Sequence, residues 1–242
     1  MLKLYQFPIS HFCEKARWAL DFKGLDYQFH NLLPGLHSIT TRKLAAKTSV
    51  PILADGNDVI QGSNKIITYL DEKHRELVLT PEKPELKAEA LEWEEYLDAE
   101  IGIHLRRCIY HILLEHPEIV IPFFLHNGPW YGKFYCNLVY PKLQQKMRQG
   151  MNINDKTFEQ SKVHLRKAVD RLYQHKQEHQ FIVGKQFSRA DLTAAALLAP
   201  LCSPKQYGLN WPASYPEPLA TLIQEFTPKT AWVGQVYDKY RR

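Results

Sequence analysis

Phe7-Pro8-Ile9-Ser10-His11-Phe12-Cys13-Glu14-Lys15-Ala16-Arg17 is the stretch on which the fold of this chain turns. Just before it, Leu2 to Gln6 alternates apolar and polar residues as a short strand does. Ser10 is a favoured N-cap residue, and the helix predicted from it runs to Lys23, with Gly24 just past its C-terminus. Further along, Asp26 to Leu32 is again extended and aromatic-rich, and the polar segment His37 to Lys47 is read as a second helix. Val50 to Leu53 and Val59 to Gln61 flank the turn signal Asp55-Gly56-Asn57. Ser63 is then predicted to cap a helix carrying Ile66, Ile67, Tyr69 and Leu70.

The resulting order, β-α-β-α-β-β-α, has an early right-handed crossover and a late hairpin, which is the order of the thioredoxin fold. Thr80-Pro81-Glu82-Lys83-Pro84 interrupts it as a linker, and the patterns beyond are helical. Leu86, Ala90, Trp93, Leu97, Ile101, Leu105, Cys108 and Ile112 step by three or four and predict one long amphipathic helix. Pro117, Pro122 and Pro129 surround an aromatic-rich crossing segment, and further helices are predicted over 133–149, 156–175, 189–199 and 217–226. The expected architecture is an α/β thioredoxin-like N-terminal domain over residues 1–78, followed by an all-α domain over residues 85–242.

Of the 242 residues, 45% are apolar and 24% charged, as in a folded globular protein. The formal charge is +5, but basic and acidic residues alternate, and only Lys239-Tyr240-Arg241-Arg242 forms a basic run, read as a solvated terminus. Nucleic-acid proteins concentrate their charge, so no nucleic-acid partner is expected. No apolar run approaches the ~18 residues of a membrane span, and the N-terminus lacks a secretory pattern, so a cytoplasmic protein with no membrane partner is expected. Cys13, Cys108, Cys136 and Cys202 are widely spaced and read as reduced thiols, and the scattered histidines suggest no zinc site, so no metal is expected.

The chemistry is expected where the first helix opens. Its N-terminus presents unpaired backbone N–H groups and a partial positive charge, which stabilise an anion. A thioredoxin-like fold carries its Cys-x-x-Cys pair here; this chain has Ser10 in the first position and Cys13 in the second. A serine hydroxyl is a poor nucleophile without a base, but it can donate a hydrogen bond to the sulfur anion of a bound thiol. Each unit of pKa depression represents ~1.4 kcal/mol of preferential stabilisation, and about two units make such a thiol largely thiolate near neutral pH.

Ser10 to Cys13, Arg17, Leu20, Lys23-Gly24-Leu25, Val50-Pro51 and Ser63 to Leu70 together resemble the glutathione transferase superfamily. Arg189-Ala190-Asp191, with Ser188 and Asp191 as a capping box ahead of an apolar run, extends the resemblance into the helical part. It implies a homodimeric detoxification enzyme that conjugates glutathione, as co-substrate, to a hydrophobic electrophile. Ser10 lines up with the family's catalytic serine or cysteine, and Pro51 with a cis-proline whose preceding residue, Val50, pairs its backbone with the cysteinyl part. Ser63 is similar to the serine that holds the γ-glutamyl carboxylate at a helix terminus, and His37 and Ser49 are further glutathione-binding candidates. Gly62 stands where the family usually has an acidic residue or glutamine, with Gln61 one place earlier. The aromatic cluster of Tyr110, Phe123, Phe124, Trp130, Tyr131, Phe134 and Tyr135 either walls an electrophile pocket or fills a helical core; Tyr110, Trp130 and Tyr131 are the pocket candidates. Two alternatives stay open: a glutathione-dependent thiol-disulfide oxidoreductase using Cys13, and a non-catalytic transferase-like binding module.

Overall fold

β1 (Leu2–Gln6) is one of the two inner strands of a four-stranded sheet of order β2-β1-β3-β4 in the computed structural model, which describes residues 1–241. β2 (Tyr27–Asn31) runs parallel to β1, with Leu2 opposite Tyr27 and Gln6 opposite Asn31. A parallel pair needs a crossover, and α1 (His11–Phe22) supplies it. β3 (Ile52–Asp55) pairs antiparallel with β1, and β4 (Asp58–Gln61) antiparallel with β3 through a tight hairpin. With α2 (His37–Leu44) and α3 (Ser63–Lys73), this is the thioredoxin-like order read from the sequence.

Ser63 is not the cap of α3, however. The chain turns out of β4 through Gly62 at φ +103°, and that residue takes the N-cap position, leaving Ser63 as the first helical residue. A side chain at Gly62 would be strained in that backbone region.

The helical part begins at α4 (Pro84–Leu97) and continues through α5 (Ile103–Leu113), α6 (Pro117–Leu125), α7 (Gly132–Gly150) and α8 (Asp155–Glu178). It ends with α9 (Arg189–Cys202), α10 (Leu219–Thr230) and α11 (Trp232–Tyr240). The single long helix predicted to Ile112 is interrupted by a wide π turn at Asp98–Gly102. At this turn a Cβ on Gly102 would lie 2.6 Å from the Phe12 ring, so the ring packs directly on the turn's backbone. Such turns are frequent at functional sites. α9 opens with the expected capping box: Asp191 accepts from the Ser188 N–H and hydroxyl at 3.1 and 3.0 Å, and its other oxygen accepts from Ile182 N–H at 2.8 Å. Among the described residues, no helix is long and apolar enough to cross a membrane.

α1 lies between the sheet side and the helical part, with α3 on one flank and α9 on the other. Every residue from Cys13 to Leu20 is buried, charged ones included. Glu14 accepts from Arg17 Nε at 2.7 Å and from Arg241 Nε at 2.8 Å, and Arg241 also pairs with Asp21. Lys15 meets Glu94 at 3.0 Å and Asp98 at 2.6 Å, both on the α4 side, while Arg189 meets Glu94 at 2.5 Å. Within the closing basic run Arg241 is therefore not solvated, whereas Lys239 is exposed and Arg242 lies outside the described residues. α11, which the sequence did not reveal, carries Arg241 back against α1, where the Glu14 carboxylate draws it in.

Removing one partner of a buried ion pair typically costs 3–5 kcal/mol, because the other charge stays buried and uncompensated. Glu14→Gln removes the carboxylate that both Arg17 and Arg241 meet, leaving Arg17 without an acidic partner, so urea unfolding of this variant is expected to show a loss of about 3 kcal/mol or more. A loss below about 1 kcal/mol, the range of an exposed pair, would contradict this role for Glu14.

Candidate active site

The loop between β1 and α1 is held from below. The Phe7 carbonyl accepts from Ser10 N–H at 3.0 Å, the Pro8 carbonyl from Arg17 Nη2 at 3.2 Å, and the Ile9 carbonyl from the Tyr207 hydroxyl at 2.8 Å. Arg17 also stacks over the Tyr207 ring, 5.0 Å from its centroid, and donates to Gln6 at 2.6 Å. With three successive carbonyls fixed, Ser10 is delivered at the N-terminus of α1 in extended conformation (φ −74°, ψ 118°). Its Oγ accepts from Cys13 N–H at 3.3 Å, which leaves the hydroxyl hydrogen available to donate.

Ser10 opens onto a cavity of about 590 Å³ between the sheet-bearing and helical parts. His37, Ser49 and Val50 line it on the sheet side, and Tyr110, Phe123, Phe124, Trp211 and Tyr215 on the helical side. The Val50–Pro51 bond is cis, and the Pro51 carbonyl accepts from Gly62 N–H at 3.0 Å, which brings the start of β3 against the start of α3. Gln61 reaches back from that corner to the Lys47 and Ser49 carbonyls, both at 2.7 Å, and so braces the loop before Val50. Ser63 is buried at this corner; Pro51, Gly62 and Ser63 adjoin the cavity's sheet side without lining it.

Trp130 and Tyr131 do not line this cavity. They stand before α7 with Trp130 94% exposed, and stack edge-on against each other. Tyr135 instead donates to the Pro34 carbonyl at 3.1 Å and supports the loop at one rim. Sequence periodicity does not separate the aromatics of α6, which turn inward, from those flanking α7, because that division depends on how the two helices pack. Arg42, Arg106 and Lys146 also line the cavity, as do Trp211 and Tyr215, all beyond what motif reading revealed. A second, more open cleft of about 800 Å³ lies between α3 and α4, on the other side of Phe12, and holds none of the site candidates.

Burial raises the Cys13 thiol above its ordinary range, with the Ser10 hydrogen bond only partly opposing it. The thiol is wholly buried and does not line the cavity. Burial lowers His37, whose Nδ1 accepts from Gly35 N–H at 3.0 Å, so the ring offers a neutral Nε2–H donor toward the site. His11 is lowered to about 3, chiefly by burial and then by the nearby Arg106 charge, and is neutral at physiological pH.

Potential metal ligands gather elsewhere. Glu100, His104 and His164 bring three ligand atoms within 4.8 Å of one another along α5, α8 and the π turn. There His164 Nδ1 already meets Glu100 at 2.7 Å and His104 Nδ1 meets the Ser161 hydroxyl at 3.0 Å. His175 near the end of α8 and His179 just past it stack on each other 4.4 Å apart, with His175 bonded to the Ile182 carbonyl.

The site joins a thioredoxin-like sheet, a serine at the head of its first helix, a cis-proline corner and a largely apolar cavity under a helical cap. Residues 4–78 match the family model described as the glutathione S-transferase N-terminal domain. Glutathione S-transferase Z2 of Arabidopsis thaliana is 43% identical over 83 residues, covering 33% of this chain and 37% of the relative. Glutathione S-transferase TCHQD of the same plant is 23% identical over 214 residues, covering 83% and 77%. The β-etherase LigF from Sphingobium sp. strain SYK-6 superposes with a TM-score of 0.70 at 22% identity, over 98% of this chain and 95% of that one. The fold is the thioredoxin-like plus helical fold seen in glutathione transferase structures, and the sequence similarity to the family is carried by the sheet-bearing part.

The depressed pKa of His11 has a consequence for stability. The unfolded chain binds its proton below pH about 6.5, whereas the folded protein binds it only near pH 3. His11 therefore costs no stability above the upper value, and stability is lost as pH falls through this window, at up to about 1.4 kcal/mol per pH unit. Urea titrations of wild type and His11→Gln are expected to differ by a constant above pH about 7 and to shift in the variant's favour below about 6. Parallel curves down to pH about 4 would show that His11 is accessible to protons in the fold.

Proposed function

We propose that this chain is a glutathione transferase in which Ser10 stabilises the thiolate of bound glutathione for attack on an electrophilic small molecule. The observation that carries the reading is the Ser10 hydroxyl, placed at the N-terminus of α1 and facing a cavity whose opposite wall is aromatic. The helix terminus and one O–H donor act together on a sulfur placed there, and both favour the anion. Val50 offers its backbone to the cysteinyl part beside the cis-proline. Ser63 and the first N–H groups of α3 receive the γ-glutamyl carboxylate, and His37, with Arg42 beside it, the glycyl end. The electrophile then lies against Tyr110, Phe123, Phe124 and Trp211, held close to the sulfur, so that proximity adds to activation of the nucleophile. Burial of Cys13, which raises its thiol and keeps it off the cavity wall, favours Ser10 over a redox role for the cysteine.

Steady-state conjugation of 1-chloro-2,4-dinitrobenzene, followed across about pH 5.5 to 9, tests this. For Ser10→Ala, the inflection of kcat/KM is expected to move up by at least about one unit, with a roughly tenfold loss at low pH. The KM for glutathione is expected to stay within about twofold, because the peptide is held elsewhere. An unchanged pH profile, or lost glutathione binding at unchanged pKa, would remove Ser10 from the proposed role.

A further inference from the structure

Arg106 projects from α5, one turn beyond Gly102, into the wall of the Ser10 cavity. Its guanidinium lies over the Phe12 ring, 5.7 Å from the centroid, and its Nε is fully buried with no hydrogen-bond partner. No Asp or Glu lines the cavity, and no ion pair to Arg106 exists among the described residues. His11 beside it is neutral and supplies no counter-charge. Burial, with the neighbouring Arg107, holds Arg106 below the usual arginine range, as befits a cation whose surroundings do not compensate it. The other cavity cations, Arg42 and Lys146, are exposed. Elsewhere in this molecule buried arginines are matched: Arg17 and Arg241 by Glu14, and Arg189 by Glu94. Arg106, half-buried with its Nε enclosed, has no such match, and it lines the cavity.

We infer that Arg106 is the receptor for a carboxylate on the second substrate, so that the favoured electrophiles are aromatic or unsaturated acids and not neutral hydrophobes. A guanidinium presents a planar fork of donors that a carboxylate matches in two parallel hydrogen bonds. With the carboxylate there, the apolar body of the acid lies along Ile109, Phe123 and Trp211, and its reactive carbon faces Ser10. Arg106 is thereby a specificity determinant: it orients the acceptor and leaves thiolate formation to Ser10. The inference rests on the transferase reading for its chemistry, though not for binding.

Two measurements on wild type, Arg106→Leu and Arg106→Lys separate the possibilities. Calorimetry with 3,5-dinitrobenzoate and its methyl ester reads binding without turnover. Wild type is expected to bind the acid at least about tenfold tighter than the ester, a charge-assisted pair being worth that much in a site sheltered from water. Arg106→Leu is expected to lose the preference while still binding the ester, which also shows that the variant is folded, and Arg106→Lys to recover part of it. Kinetics then use 4-chloro-3,5-dinitrobenzoate and its methyl ester. The glutathione thiolate forms the C–S bond, the C–Cl bond breaks, and chloride leaves with the electron pair. The acid/ester ratio of kcat/KM is expected to fall about tenfold in Arg106→Leu, with KM for glutathione unchanged. An unaltered acid/ester ratio would overturn the inference, as would a loss confined to glutathione binding, which would assign Arg106 to one of glutathione's own carboxylates. Arg106-dependent acid binding with no conjugation of either compound would leave the receptor standing and remove the transferase reading.

Discussion

Burial of charge along α1 is the constraint from which the rest of this structure follows. A helix packed on both sides would ordinarily be apolar throughout, yet α1 carries Glu14, Lys15 and Arg17 into the interior, each with a partner at 3.0 Å or less. Those partners come from distant parts of the chain: Glu94 and Asp98 from the start of the helical part, and Arg241 from the residue after its last helix. An uncompensated charge in these positions is so costly that the sheet-bearing and helical parts are tied to one relative placement. Arg17 extends the same network into the β1–α1 loop through the Pro8 carbonyl, and Tyr207 completes it at Ile9. Interactions that hold the two parts together thus also hold Ser10 at its helix terminus.

The site joins two kinds of surface. One side is backbone-rich, with the head of α1, the cis-proline corner and the glycine-led start of α3, and suits a small polar peptide with carboxylate ends. The other is formed by α5, α6, α7 and the segment around Trp211, largely apolar, with Arg106 and the exposed Lys146 as its cations. The π turn lies between them: the Phe12 ring packs against Gly102, and α5 starts one residue later and carries Arg106 to the cavity wall. A continuous helix would present a different set of residues there.

The sheet-bearing part was legible because its signals are local. Gly24, Asp55-Gly56-Asn57 and Ser10 mark turns and caps within a few residues of the elements they end or begin, and Val50-Pro51 marks a corner by composition. The exact start of α3 was not legible, since a serine and a preceding glycine are each acceptable caps and only the positive φ of Gly62 decides between them. In the helical part, periodicity located most helices, but the choice of inward face among Phe123, Phe124, Trp130 and Tyr131 depends on tertiary packing. Arg241 shows the same limit: a basic tail reads as solvated until the Glu14 carboxylate that receives it, 227 residues away, is seen. Arg106 was invisible for the converse reason, as an unpaired cation is defined by what the fold leaves out around it.

In the function proposed above this arrangement makes a bound thiol into a thiolate, which the ultraviolet absorbance of glutathione bound to the wild-type protein, titrated against pH, reads without any electrophile. Thiolate absorbance is expected to appear about two units below the pKa of free glutathione, as a helix terminus and a donated hydrogen bond together supply. Glutathione that binds yet titrates as it does in water would contradict the claim and leave a transferase-like fold whose cavity binds ligands without activating them.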